Sequence, residues 1–206
     1  MGGSSMYFSC LYCKEVKSER LIPFLCNQCS HHLEMLEPFG SLCSLYRYNS
    51  FLREIILSAK VHGNYRAVIC LSYLFTQSPL TQSFVKNSYK IVPAPSSLWS
   101  RLRGRTDLAW FLAQSLARSR SCKLMPAPVS LQWQFHKRAK IRRRKRINLS
   151  FFESVGDERA KKILVVDDVI TSGHTLMRTS SLYRKEDCLF LTLASARDMK
   201  NSLSSR

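Results

Sequence analysis

The run Ile163-Leu-Val-Val-Asp-Asp-Val-Ile-Thr-Ser-Gly-His-Thr175 constrains the fold more than any other stretch of this chain. Ile163 to Val166 is continuous, apolar and mostly β-branched, the pattern of a parallel strand buried on both faces. Asp167 and Asp168 follow at its carboxyl end, then a hydroxyl-rich turn, Thr171 to Thr175, then a helix expected from Thr175 to Tyr183. A helix start presents free N–H groups and a partial positive charge. Gly173 lets the backbone approach an anion, and Thr171, Ser172 and Thr175 add hydroxyl donors. The two aspartates are acceptors suited to sugar hydroxyls or to a Mg²⁺ shell. Ligands of open α/β sheets sit at strand carboxyl ends, so a phosphate-ester site is expected here. The plainer alternative is an acidic turn with Thr171 or Ser172 as an N-cap. A cap needs one acceptor, whereas this run carries two acids and three hydroxyls.

Near the other end, Cys10-Leu-Tyr-Cys13 and Cys26-Asn-Gln-Cys29 have the paired spacing of a four-thiolate zinc site. The segment between them is short and charged, so a metal stands in for a hydrophobic core. A redox CxxC is the rival; two pairs within so short a stretch fit a metal better. A closed four-cysteine site is structural, with no open position for catalysis. His31 and His32 are alternative ligands, with exposed loop histidines the plainer reading. Cys43, Cys70, Cys122 and Cys188 read as unpaired small residues among apolar neighbours.

A chain of 206 residues with 45% hydrophobic content accommodates one α/β domain and a small appendage. The expected division is a zinc module over 1–40 and an α/β domain over 41–206. The formal charge of +18 points to polyanionic partners such as pyrophosphate, nucleic acid or an anionic membrane face. No apolar run reaches spanning length, and Met1 to Met6 carries neither a signal-peptide nor a myristoylation pattern. A cytoplasmic protein without a transmembrane segment is therefore expected.

Between the two ends, Leu42 to Tyr48 reads as a weakly alternating strand. A helix capped by Asn49 or Ser50 is expected through about Val61, followed by another over about Arg66 to Phe75. Lys60 lies near the end of the first. It is within reach of a phosphate, or is simply a lysine favoured by the helix dipole. The stretch from Pro79 to Asn87 reads as a connection or helix cap. Tyr89 to Pro95 reads as a strand stopped by two prolines. Arg101, Arg103 and Arg105 follow, a plausible pyrophosphate clamp or a solvated basic loop, before Asp107 opens an apolar helix through Leu116. Within 136–147, eight of twelve residues are Lys or Arg, preceded by Trp133 and Phe135. That mixture suits single-stranded nucleic acid, a loop folding over pyrophosphate, or a solubilising loop with no partner.

The 163–175 run resembles the phosphoribosyl-pyrophosphate (PRPP) motif of type I phosphoribosyltransferases. Taken with the cysteine pairs, Val92-Pro-Ala-Pro95, the Arg103-Gly104 turn and Asn148-Leu-Ser-Phe-Phe152, the chain resembles the ComF family (ComFC/GntX-like) over roughly residues 10 to 197. These are phosphoribosyltransferase-domain proteins linked to DNA uptake in competent bacteria. The resemblance implies a type I phosphoribosyltransferase-like parallel sheet flanked by helices, with a small N-terminal zinc module. It implies PRPP bound with Mg²⁺, and Zn²⁺ held by Cys10, Cys13, Cys26 and Cys29. Asp167 and Asp168 then meet the ribose hydroxyls at the catalytic centre. Thr171, Ser172, Gly173, His174 and Thr175 hold the 5-phosphate, and Lys60, Arg103 and Arg105 offset the charge of departing pyrophosphate. The chain departs from many relatives after Arg103-Gly104, reading Arg105-Thr106-Asp107 in place of Phe-Asn-Gln, and at His174, where a small residue is usual. No acceptor-recognition segment is evident. Two rivals stand beside an enzyme: a single-stranded-DNA-binding accessory protein that keeps the PRPP fold, and a zinc adaptor docking a helicase or membrane channel of the DNA-uptake machinery.

Overall fold

The computed structural model describes residues 8–17, 21–85, 89–95, 105–126, 163–183 and 187–196. A small antiparallel pair comes first, β1 (Phe8–Ser9) with β2 (Val16–Lys17), followed by the short helix α1 (Asn27–Ser30). The main sheet has five strands, all parallel: β3 (Leu42–Arg47), β4 (Lys90–Pro93), β5 (Lys123–Leu124), β6 (Ile163–Ile170) and β7 (Cys188–Ser195). Their spatial order is β3-β7-β6-β4-β5, so the apolar run of β6 lies in the interior of the sheet, as expected of a strand covered on both faces.

Helices flank this sheet. Helix α2 (Ser50–His62) starts at Asn49, whose side chain accepts the Leu52 N–H at 3.0 Å, and stops at Gly63 in the left-handed conformation, φ 61°. Helix α3 (Tyr65–Gln77) is capped by Asn64. Pro79 opens the short helix α4 (Pro79–Phe84), where a connection or cap was the expectation. Asp107 caps α5 (Leu108–Ser119), accepting the Trp110 N–H at 3.2 Å. Helix α6 is His174–Ser180.

The sides of β6 face different layers. Leu164 and Val166 join the large core with Phe51, Ile55, Leu71 and Leu112, and Val165 joins a smaller one with Leu42, Leu176 and Phe190. Buried residues of the N-terminal module, Cys10, Leu25, Cys26 and Cys29, belong to that same large core. Tyr12 meets Phe51 edge-on at 4.8 Å between ring centroids, and the Asn49 amide donates to the His32 carbonyl at 2.9 Å. The following segment covers the outer edge of β3: Arg47 N–H donates to Glu34 O at 2.8 Å and Leu36 N–H to Leu45 O at 3.0 Å.

Three boundaries differ from expectation. Strand β6 does not stop at Val166 but continues through both aspartates to Ile170. Its partner β7 supplies a register out to Ile170↔Ser195, whereas β4 pairs only as far as Pro93↔Val166. Helix α6 ends at Ser180 rather than Tyr183, with Leu182 and Tyr183 closing turns onto Thr179 and Ser180. Its N-cap is Gly173, left-handed at φ 70°, rather than Thr171 or Ser172. None of the eight cysteines is in a disulfide. Burial pushes the Cys43 and Cys70 thiols up to about 12, which fits inert packing residues.

Candidate functional site

The paired cysteine spacing folds into a metal-sized cage. The Sγ atoms of Cys10, Cys13, Cys26 and Cys29 all lie within 4.8 Å of one another. Four thiolates at about 2.3 Å from a zinc ion stand roughly 3.8 Å apart, and Cys13 Sγ lies 3.9 Å from Cys26 Sγ. The first knuckle turns at Lys14, which takes a left-handed φ of 64°. Its Cys10 N–H donates to Glu15 O at 3.0 Å and its Lys14 N–H to Cys10 O at 3.1 Å. The second pair straddles the start of α1, with Cys26 as N-cap and Cys29 buried one turn on. Burial acts to raise the Cys10 thiol, but backbone N–H groups of Cys26, Tyr12 and Cys13 outweigh it and bring it down to about 7. Cys13 and Cys29 shift the other way, raised first by burial, so it is the spacing of the four thiols rather than their titration that marks a metal site. The four thiols are thus positioned to bind a metal ion, and the set is compatible with structural zinc. His31 and His32 stand outside this group, and His32 instead lies 5.4 Å from the Phe51 ring.

A second site arises from the sheet's connectivity. The chain leaves β4 through α5 toward β5 at one edge, and leaves β6 through α6 toward β7 on the other side. The divergence opens a crevice at the carboxyl ends of β4 and β6, the usual ligand position in open α/β sheets. The cleft there measures about 480 Å³. Lys60 of α2, Arg105 and Asp107 before α5, Asp167 and Asp168 of β6, and Thr171 and Thr175 beyond it all line this one space.

Its electrostatics centre on one ion pair. Lys60 Nζ donates to Asp168 Oδ2 at 2.6 Å. The Asp168 side chain is 9% exposed and that of Lys60 38%. Asp168 Oδ1 accepts the Val169 N–H at 2.7 Å, and Asp167 Oδ1 accepts the Asp168 N–H at 2.8 Å. Burial acts to lower the Lys60 ammonium, but the charge of Asp168 and its hydrogen bond, then Asp167 and Tyr48, leave it raised. Asp167 is pushed up to about 8, first by burial and then by the charge of Asp168, against the Asp168 N–H and Lys60, which act the other way. Lys60 is held from a second side because its carbonyl accepts the Thr106 N–H at 3.2 Å.

The cleft therefore gathers Lys60, Arg105, Asp167, Asp168, Thr171 and Thr175 from the expected set. Ser172, Gly173 and His174 do not line it; Gly173 is buried under the start of α6 and His174 is exposed. Arg101, Arg103, Trp133, Phe135, the basic stretch 136–147 and Asn148 to Phe152 lie outside the described residues. Two kinds of lining residue escaped the sequence reading. Asp107, legible only as a helix cap, also faces the cleft, and Ile56, Leu57, Val61, Leu108 and Ala109 give it an apolar wall beside Tyr48. Apolar residues at helical spacing read as core, so the wall had no signal of its own. Tyr48 had one, since it directly follows β3 and strand carboxyl ends supply such clefts.

Among the described residues, no helix is long and apolar enough to cross a membrane. Fold and sites together define a parallel α/β protein with an acid–lysine cleft at its switch point and a four-thiol cluster fused to its core. Compared with models of known protein families and with curated proteins, the chain matches none.

Proposed function

We propose that this chain is a ComF-like protein that binds PRPP or a related phosphoribosyl ligand in the switch-point cleft, with zinc held by the four cysteines. The observation that carries the reading is convergence: an acid pair, two cations and two threonine hydroxyls, from distant parts of the sequence, line one cleft of about 480 Å³. Phosphoribosyl ligands need those groups, with acceptors for the sugar hydroxyls and cations and hydroxyl donors for the phosphates. In a transferase, positive charge grows at the sugar C1 as pyrophosphate departs. Lys60 and Arg105 offset the charge of the leaving group, while Asp167 and Asp168 orient the sugar. Among the described residues only the cysteines form a group of three or more placed to hold a metal. Mg²⁺ would accompany the ligand, where Asp167 and Asp168 are the cleft carboxylates that would help hold it and its charge would offset that of the phosphates. By the same resemblance, the cellular role is DNA uptake or processing in the cytoplasm.

Calorimetric titration of PRPP with Mg²⁺ into wild type and an Asp167→Ala/Asp168→Ala double variant tests the site. A binding heat in the wild type that is altered in the variant is expected, and equal heats from both sink the reading.

A second reading, a single-stranded-DNA-binding accessory protein, is supported by the charge of +18. It requires DNA affinity that falls steeply with salt, with a shallower slope once residues 137–146 are neutralised. An unchanged slope excludes that segment as the contact.

A further inference from the structure

We propose that the Lys60–Asp168 pair is a latch that reserves the cleft for ligands carrying both an anionic group and a vicinal diol. The inference rests on the phosphoribosyl reading of the same cleft. It comes from the unequal exposure of the two partners. Lys60 is 38% exposed and Asp168 only 9%, so an incoming anion meets the ammonium first. Drawing Lys60 away removes the partner of Asp168 Oδ2, since among the described residues that oxygen accepts only from Lys60. Oδ1 is already occupied by the Val169 N–H. A largely buried carboxylate oxygen then exchanges its ammonium partner for at most cleft water, and a charge so placed is unfavourable without its counter-charge. An anion alone therefore takes Lys60 only against that penalty.

A diol removes the penalty. Hydroxyls on adjacent carbons can donate one O–H to Asp168 Oδ2 and the other to Asp167, and both aspartates line the same cleft. Successive strand residues ordinarily face opposite sides. Here β4 has ended at Pro93, and the crevice opens beside both acids. Lys60 is then released to the phosphate while Asp168 stays satisfied. Inorganic pyrophosphate lacks the diol, and a 2-deoxy sugar phosphate has only half of it, so both leave the exchange incomplete.

The pair thus sets specificity through an exchange of partners, and it makes an opposite prediction for removal of a charge. In Asp168→Asn, Lys60 is no longer held by a carboxylate, and inorganic pyrophosphate binds about tenfold or more tighter than to wild type. The same variant loses its preference for ribose 5-phosphate over 2-deoxyribose 5-phosphate, which in wild type is about tenfold. Lys60→Gln weakens pyrophosphate binding, because the receiving cation is gone. Titration calorimetry with these three compounds at physiological ionic strength, with folding checked by circular dichroism, measures each affinity. Folded Asp168→Asn with unchanged or weaker pyrophosphate binding overturns the latch. If that variant does not fold, the wild-type comparison of the two sugar phosphates decides, and equal affinities overturn it. Wild type that ignores PRPP, with a gain for pyrophosphate in Asp168→Asn, removes the phosphoribosyl reading and keeps the latch. Binding of PRPP through the acids without that gain does the reverse.

Discussion

Asp167 shows how one residue's surroundings set a pH dependence. Its carboxyl is raised to about 8, by burial first and the neighbouring Asp168 charge second. An unfolded aspartate titrates near 3.9. Between those values the folded state binds the proton that the unfolded state has lost, so stability falls as pH rises through this window. Asp167→Asn removes the titration. Its melting temperature is expected to fall less than that of wild type from about pH 4 to about pH 8, and to exceed it at the upper end. Thermal melts of both proteins across that range check this, and parallel profiles refute it. The Lys60 charge acts against the rise, so Lys60→Met raises the Asp167 carboxyl further and steepens the wild-type trend.

At the scale of elements, two of the caps were legible, although Asn64 and Gly173 were not. Asn49 and Asp107 stand where a polar side chain meets the start of an apolar periodic run, and both serve as N-caps. Asn49 has a second task that no local pattern announces. Its amide donates to the His32 carbonyl, tying α2 to the end of the cysteine module. Asn49→Ala is therefore expected to cost about 1–2 kcal/mol, the upper part of the range for a cap, because it loses the cap and the amide's bonds to His32 and Glu34. Asn49→Ser keeps a capping oxygen but not the tie, and recovers part of the loss. Equilibrium denaturation of the three proteins measures this, and an Asn49→Ser variant as stable as wild type dismisses the tie. The strand ends were less legible. Whether β6 stops at Val166 or runs to Ile170 depends on the length of β7 beside it and on β4 ending early, and such pairing is non-local. The cleft follows the same division. Its charged groups had recognisable spacing, whereas its apolar wall consists of helix faces that look like core until strand order shows where the sheet opens.

At the scale of the molecule, the cysteine cluster and the α/β core share one buried cluster, in which Cys10, Cys26 and Cys29 pack with Phe51, Leu52 and Cys70. A metal at the four thiols then stabilises more than the knuckles around it. Such a metal would hold Tyr12 and His32 against Phe51 at the first turn of α2, and α2 carries Lys60 into the cleft. Metal binding is linked to the stability of whatever folds with it. Chelation, or Cys10→Ser, is therefore expected to lower a single unfolding transition rather than release a separate low-temperature one. For a domain of this size each kcal/mol lost shifts the midpoint by roughly 2–4 °C. Calorimetric scans with and without a strong chelator, alongside metal analysis of Cys10→Ser, measure the effect. The chelator should leave the variant's transition almost unmoved, because its site is already broken. Two resolved transitions in chelated wild type would show that the module melts alone. A midpoint indifferent to metal, or undiminished zinc in the variant, would remove the metal from the account of stability.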